Sequence, residues 1–271
     1  MHEILRNLPP GARVLDLGCR DGSFEAESYP DACVIRLDRE LSLSRTRSGF
    51  IQADAAHLPF AGGSFDAIVS NHSLEHMDDL AGVLKEMGRV LRRDGGLYVA
   101  VPDASTFSDR LYRWIYHGGG HINPFRSAAA LRDELARATG LRPVAVRVLC
   151  SSFGYLDRRL FQPRPPRRLW LLGNGNPKLI AVLSYAARIL DRLARSRMSI
   201  YGWAFYFGRI GEHVETTTWT NVCVRCGAAH PAALLKESAV VRGRLWKWYH
   251  CPECGAWNLF TKDRVQTGCV S

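Results

Sequence analysis

Three kinds of residue in this 271-residue sequence are spaced for chemistry: acids closing short apolar runs, histidines near them, and paired cysteines toward the C-terminus. Val14 to Phe24 reads VLDLGCRDGSF, an apolar run holding Asp16 and followed by Gly18 and Gly22. Such a pattern takes a buried strand into a tight turn. Glycine lacks a Cβ, so the backbone there can pass close to a ligand and adopt left-handed angles. The full G-x-G-x-x-G pattern is absent, because Arg20 holds its middle place, so the turn alone says only that a nucleotide-type ligand fits. Cys33 to Asp38 (CVIRLD) is a second apolar run closing on an acid about twenty residues on, suited to accept hydrogen bonds from ribose hydroxyls.

Gln52 to Glu75 follows, reading QADAAHLPFAGGSFDAIVSNHSLE. It carries D-A-x-x-L-P-F at Asp54, Ala55, Leu58, Pro59 and Phe60, S-F-D at Ser64, Phe65 and Asp66, and L-E-H at Leu74, Glu75 and His76. With these motifs in order, the sequence from about residue 11 to 150 resembles the class I S-adenosylmethionine-dependent methyltransferases, in their type 11-like branch. The resemblance implies that S-adenosyl-L-methionine is the cofactor. It implies that Asp16, Gly18 and Gly22 line its methionine and ribose side and that Asp38 holds the ribose diol. Asp54 and Ala55 would meet the adenine edge, and Asn71 would lie under the methionine portion. One departure stands out: the family usually has glycine where this chain has Arg20. If that position needs a positive φ, the arginine is strained there.

The elements that must position these residues alternate. Apolar runs predict strands near 13–17, 33–38, 49–53, 66–71 and 96–101, with helices near 22–28 and 78–92 and one short helix over residues 1–10, ending at Pro9 and Pro10. Ser127 caps a helix that Gly140 ends, Val144 to Leu149 reads as a sixth strand, and Ile200 to Ile210 as a seventh, with an exposed membrane-touching hairpin as its alternative. The fold class expected is α/β, a doubly wound, seven-stranded, mostly parallel Rossmann-like sheet with a small C-terminal zinc-ribbon module. Ligands of such a sheet sit beyond the carboxyl ends of its strands.

Residues 102–126 leave the fifth strand at that edge and combine aromatics with Gly118, Gly119 and Gly120, the composition of a hinged lid. His121 there is a candidate general base or acceptor-binding group, or simply a helix-entry hydrogen bonder. His72, just past the fourth strand, is the second catalytic candidate, whereas Glu75 and His76 read as structural.

The formal charge of +10 is concentrated: residues 158–197 hold ten Arg and Lys against one acid, Asp191. Arg158 to Trp170 is too proline-rich for a helix or a central strand, and Asn176-Pro177 then caps a helix from Lys178 to about Arg195. Leu179, Val182, Leu183, Ala186, Ile189, Leu190 and Leu193 form its apolar face, with Arg188, Arg192 and Arg195 toward the other face or the end. Three readings follow: packing on its own protein, contact with anionic lipid, or contact with nucleic acid. No apolar run reaches the length that spans a bilayer, and the first residues show no signal-peptide pattern. A cytoplasmic, membrane-peripheral location is the expectation.

Of eight cysteines, Cys223, Cys226, Cys251 and Cys254 form two C-x-x-C pairs, each followed by glycine, with twenty-four residues between the pairs. Four thiolates suit a structural Zn2+ and leave no open position, with a redox dithiol or an iron site as alternatives. Three parts are expected: a cofactor-binding core at 1–150, a basic insert with the last strand at 151–213, and the zinc-ribbon module at 214–271. The expected function is methyl transfer to a small-molecule or lipid-linked acceptor, with peripheral membrane contact through residues 158–197. The alternatives are an rRNA or tRNA methyltransferase docking through ribbon and helix, nucleic acid being less favoured, and a catalytically weak binding protein.

Overall fold

β1 (Arg13–Leu17) threads the middle of the sheet because its residues are apolar toward both sides: Val14, Leu15 and Leu17 are all fully buried. A computed structural model of the chain describes every residue except 21, 41–48, 158–167, 170–175, 212, 213, 215, 239, 245 and 264–271. A short α1 (His2–Leu5) precedes β1. β2 (Cys33–Asp38), β3 (Phe50–Gln52), β4 (Phe65–Asn71) and β5 (Leu91–Pro102) extend the sheet in parallel around β1. β6 (Pro143–Cys150) and β7 (Ile200–Gly208) complete it, in the order β3-β2-β1-β4-β5-β7-β6, with β7 antiparallel to both neighbours. This is the doubly wound, seven-stranded, mostly parallel sheet that the sequence predicts, and Ile200 to Gly208 is a sheet strand rather than an exposed hairpin.

α2 (Leu80–Val90), with Asp79 accepting from the Gly82 N–H, and α4 (Ala128–Thr139), capped by Ser127 and ended by left-handed Gly140, cover one face. Leu15, Leu17, Ile68, Leu84, Met87, Val99 and Leu135 form the core there. The opposite face buries Val14, Val69, Tyr98 and Tyr206 against Ile4 and Leu5 of α1. The helix expected near 22–28 is reduced to one 3-10 turn, Ala26–Ser28. Asp16 takes the Ser23 N–H at 2.9 Å and Pro30 disfavours helix at Tyr29, so too few residues remain for an α-helix.

α3 (Phe107–Ile115) leaves the end of β5, capped by Thr106. α5 (Pro177–Ala194) starts with Asn176 accepting from the Lys178 N–H and packs beside it, sharing a cluster with Ile115, Phe153, Leu156 and Val224. The face α5 buries is not its leucine-rich one. Ile180, Ala181, Ser184, Ala187, Arg188 and Asp191 are turned inward, while Leu179, Val182, Leu183, Leu190 and Leu193 are exposed. The inward neighbours are main-chain groups that need polar partners. Arg188 donates to the Ser151 and Val222 carbonyls, and Asp191 accepts from the Met198 and Ser199 N–H groups and from the Ser196 and Ser199 hydroxyls. Arg188 is therefore buried, contrary to the solvated basic face that the periodicity implies. The proline-rich run at 158–167, and Cys269, lie outside the described residues.

Beyond β7, short strands β8 (Asn221–Val222) and β9 (Ala229–His230) pair, α6 (Ala232–Glu237) follows, and β10 (Val241–Arg242), β11 (Trp248–His250) and β12 (Trp257–Leu259) form a second small sheet. Among the described residues, no helix is long and apolar enough to cross a membrane.

At Gly202 of β7 an added Cβ would stand 2.0 Å from the Val101 carbonyl oxygen. Gly202→Ala is expected to destabilise the chain by about 1–3 kcal/mol or more, the usual cost of overpacking, in denaturant unfolding. A wild-type midpoint would contradict the β5–β7 register.

Candidate functional site

The carboxyl ends of β1, β2 and β4 open into a cavity of about 570 Å³ whose lining includes Gly18, Gly22, Asp38, Asp54, Ala55, Asn71 and His72. Six of the seven sequence-derived cofactor candidates therefore share one cavity. The seventh, Asp16, lies behind the loop, fully buried, with Oδ2 accepting from Ser23 N–H at 2.9 Å. Burial raises its pKa above the ordinary carboxylate range. Its place is that of a brace, opposite Arg36 in the β1–β2 pairing.

Gly18 is where the cavity depends on glycine. Its φ is +66°, and a Cβ would fall 2.4 Å from the Ser73 Cβ. Ser73 is itself pinned, donating from Oγ to the Leu17 carbonyl at 3.0 Å. Arg20 does take a positive φ, +45°, the strained angle that the departure from glycine implies. Its N–H donates to Asp38 Oδ2 at 2.8 Å, while Asp38 Oδ1 accepts from Glu40 N–H at 2.9 Å. Each carboxylate oxygen keeps a lone pair for a further donor, such as a hydroxyl. Asp54 turns the chain by accepting from Ala56 N–H at 2.9 Å, and that bond holds its pKa low.

Beside this cavity lies a polar and aromatic cluster. His72, at φ +56°, packs edge-on to Tyr201 at 5.0 Å. Burial lowers its pKa to about 4, so the ring is uncharged near neutrality. Glu75 is 1% exposed, and burial pushes its pKa up to about 8. His121 is not in the cavity lining but one shell outward: it sits 4.9 Å from the His76 ring, stacks on Tyr112, and has Nδ1 3.0 Å from Asp109 Oδ1. The three glycines before it take φ values of +94°, +61° and +75°, and a Cβ on Gly119 would strike Tyr112, so they make a tight turn. Sequence reasoning missed Asp109 and Tyr201. Asp109 is a buried acid on α3, where an exposed i,i+4 pair with Arg113 is the ordinary reading, and only the fold brings Tyr201 across from β7.

Far along the chain, Cys223, Cys226, Cys251 and Cys254 bring their sulfurs within 4.8 Å of one another. Cys223–Cys254 and Cys226–Cys251 separations are 3.6 and 3.7 Å. Four thiolates at the usual Zn–S length stand about 3.8 Å apart in a tetrahedron, so the donor set fits zinc. Gly227 and Gly255, at φ +76° and +69°, close two matching knuckles, and Arg225 N–H and Asn258 Nδ2 donate to Cys223 Sγ.

Known proteins resemble this chain in sequence and in fold. The profile of a methyltransferase domain family matches residues 1–146. A malonyl-[acyl-carrier protein] O-methyltransferase of Geobacter sulfurreducens is 32% identical over 216 residues, 71% of this chain and 78% of that protein. A demethylmenaquinone methyltransferase of Roseiflexus sp. is 32% identical over 57% of this chain and 63% of that one. The chain spans about half the length of several curated relatives, 51% of one and 58% of another. In fold it is similar to an S-adenosylmethionine-dependent methyltransferase of Archaeoglobus fulgidus, with a TM-score of 0.50, 18% identity and coverage of 73% of this chain and 86% of that one.

Proposed function

The chain belongs to the methyltransferase domain family, the class I S-adenosylmethionine-dependent methyltransferases, and from that premise we propose that it methylates a small-molecule or lipid-linked acceptor. The observation that carries this reading is the cavity at the strand ends, floored by a glycine that tolerates no side chain and flanked by the Asp38 carboxylate.

In this reading Gly18 and Gly22 admit the methionine and ribose side of the cofactor, Asp38 accepts from the ribose diol, Asp54 and Ala55 meet the adenine, and Asn71 lies under the methionine portion. Asp16 holds the loop from behind. Bound S-adenosylmethionine supplies an electrophilic methyl on a sulfonium. The protein's part is to hold an acceptor in line with it and exclude water, which accounts for most of the acceleration in such transfers. His72 and His121 are the acceptor-side groups: uncharged His72 offers a lone pair at the cavity wall, and His121, tied to Asp109, orients what enters above it.

Two observations favour an acceptor carried on or near a lipid surface. α5 exposes Leu179, Val182, Leu183, Leu190 and Leu193, the last 77% exposed, with Lys178, Arg192 and Arg195 also exposed on the helix or at its end. Trp246, 66% exposed, lies against Tyr185 of the same helix. An apolar helix face flanked by cations suits the interface of an anionic membrane. The relatives named above act on a carrier-bound malonyl group and on demethylmenaquinone. We assign three parts on this basis: the cofactor core at 1–150, the insert and last strand at 151–213, and a module at 214–271 held by a structural zinc on its four cysteines.

Incubation of a source-cell lysate with radiolabelled S-adenosylmethionine and the protein is expected to place label in the lipid-extractable or small-molecule fraction. Label in RNA, or in protein that hydroxylamine cleavage of thioesters does not release, would overturn the acceptor class, and no label anywhere would overturn the enzyme reading. For the module, elemental analysis is expected to give about one zinc per chain, with Cys223→Ser or Cys251→Ser losing it and the cooperative unfolding of the module. A metal-free chain with native unfolding behaviour would contradict the zinc assignment.

A further inference from the structure

Beside the cofactor cavity, whose lining includes His76 but neither Glu75 nor His121, these three residues each offer a ligand atom, and the atoms lie within 4.8 Å of one another. We propose that the three residues form a second, catalytic-type metal site, a two-histidine, one-carboxylate set for a divalent transition ion such as Mn2+, Fe2+ or Co2+. Its use in presenting an acceptor oxygen to the cofactor rests on the methyltransferase reading; the site itself does not.

The first argument is the carboxylate. Glu75 is 1% exposed, and neither of its oxygens has a hydrogen-bond partner among the described residues. The nearby ring nitrogen, His72 Nδ1, is 3.9 Å away, beyond hydrogen-bond reach. A buried carboxylate is costly unless something positive or donating faces it, and a cation among these three side chains would do so.

The second argument is the histidines. His76 Nδ1 is 2.9 Å from the Gly120 carbonyl oxygen, and His121 Nδ1 is 3.0 Å from Asp109 Oδ1. With Nδ1 engaged, Nε2 is the nitrogen each ring has left to offer. Metal-binding histidines are held this way, their far nitrogen donating to a carbonyl or carboxylate that fixes tautomer and ring angle. Asp109 is fixed in turn by Arg113 Nε at 2.6 Å, and Tyr112 stacks on the His121 ring.

The third argument is the backbone that brings the ligands together from distant parts of the sequence. The Ile122 and Asn123 N–H groups donate to the Glu75 carbonyl at 2.9 and 3.0 Å, and Asn123 Nδ2 donates to the Leu74 and Met77 carbonyls at 3.0 and 2.7 Å. The strap carrying His121 is thus sewn onto the turn carrying Glu75 and His76. At Gly120, the last glycine of the preceding turn, a Cβ would stand 3.2 Å from His76 Nδ1.

Three protein ligands leave coordination positions open, which marks a catalytic rather than a structural site. The nitrogen and oxygen donors also separate it in chemistry from the four-thiolate cluster, which selects soft metals. His76 lines the cavity, so an acceptor oxygen on the ion would meet the cofactor edge.

The test is Mn2+ titrated into the full-length, zinc-loaded protein, followed by loss of the free six-line paramagnetic resonance signal. The site predicts one Mn2+ per chain, bound at least tenfold more weakly in Glu75→Gln and in His76→Ala. Asp109→Asn should weaken it about 10–100-fold by releasing His121. His76 is exposed, so His76→Ala is expected to keep a single cooperative thermal transition, which separates ligand loss from unfolding. Free signal undiminished at millimolar protein, or binding unchanged in both Glu75→Gln and His76→Ala, would overturn the site. Methyl transfer undiminished in chelator by a chain that binds no Mn2+ overturns the site alone. Mn2+ binding without transfer to any fraction supports the site and overturns the methyltransferase reading.

Discussion

The approach of the Gly18 backbone to Ser73 is the contact on which the rest of the site depends. β1 must end and turn at a point where the loop after β4 already occupies the space a side chain would need. Ser73 cannot yield, because it is bonded to the Leu17 carbonyl and to Ser70 Oγ, at 3.0 and 2.6 Å. The turn therefore leaves a cavity at the strand ends, which Gly18 lines together with Asp38, Asn71 and His72. Everything nearby serves to keep that turn in place: Asp16 from behind, the Asp38–Arg20 main-chain bond from the side, and a strained Arg20 where glycine would sit more easily. The cost of that strain, of order 1–3 kcal/mol, is offset by packing around the loop.

The outer half of the site is built differently, from aromatic rings and buried acids rather than main-chain turns. α3 supplies Asp109 and Tyr112, the strap after it supplies His121, and β7 reaches across to supply Tyr201 beside His72. Antiparallel β7, inserted between β5 and β6, brings Tyr201 to this edge. α5 then packs beside α3 through Ile180, Ala181 and Ala187, with Arg188 and Asp191 bonded to main-chain groups further along, and leaves its leucine-rich face exposed. A helix so oriented is anchored by Arg188 and Asp191 rather than by its leucines.

Much of the inner half was legible in the sequence, because strands in a parallel sheet are buried on both sides and read as continuous apolar runs. Asp38 and Asn71 close such runs, and Asp54 follows one closely, so six of the seven cofactor candidates reach one cavity. Arg20 was legible too, as a non-glycine at a place that calls for a positive φ. The outer half was not. Asp109 and His121 are twelve residues apart, with a helix end and a glycine turn between them, and no periodicity links them. The α5 stripe was read correctly as apolar, but periodicity tells which residues share a face and not which face the protein will cover. Carbonyls at Ser151 and Val222 decided that, and nothing local to the helix records them.

The central claim is that the cavity over Gly18 holds the nucleoside and amino-acid parts of S-adenosylmethionine together. It is tested most directly by calorimetric titration of S-adenosylhomocysteine into the wild-type chain and Asp38→Ala. One product molecule per wild-type chain, and loss of most of that affinity in an Asp38→Ala chain that still unfolds cooperatively, is the result the account predicts. No binding to the wild type, or equal binding by both chains, would contradict it.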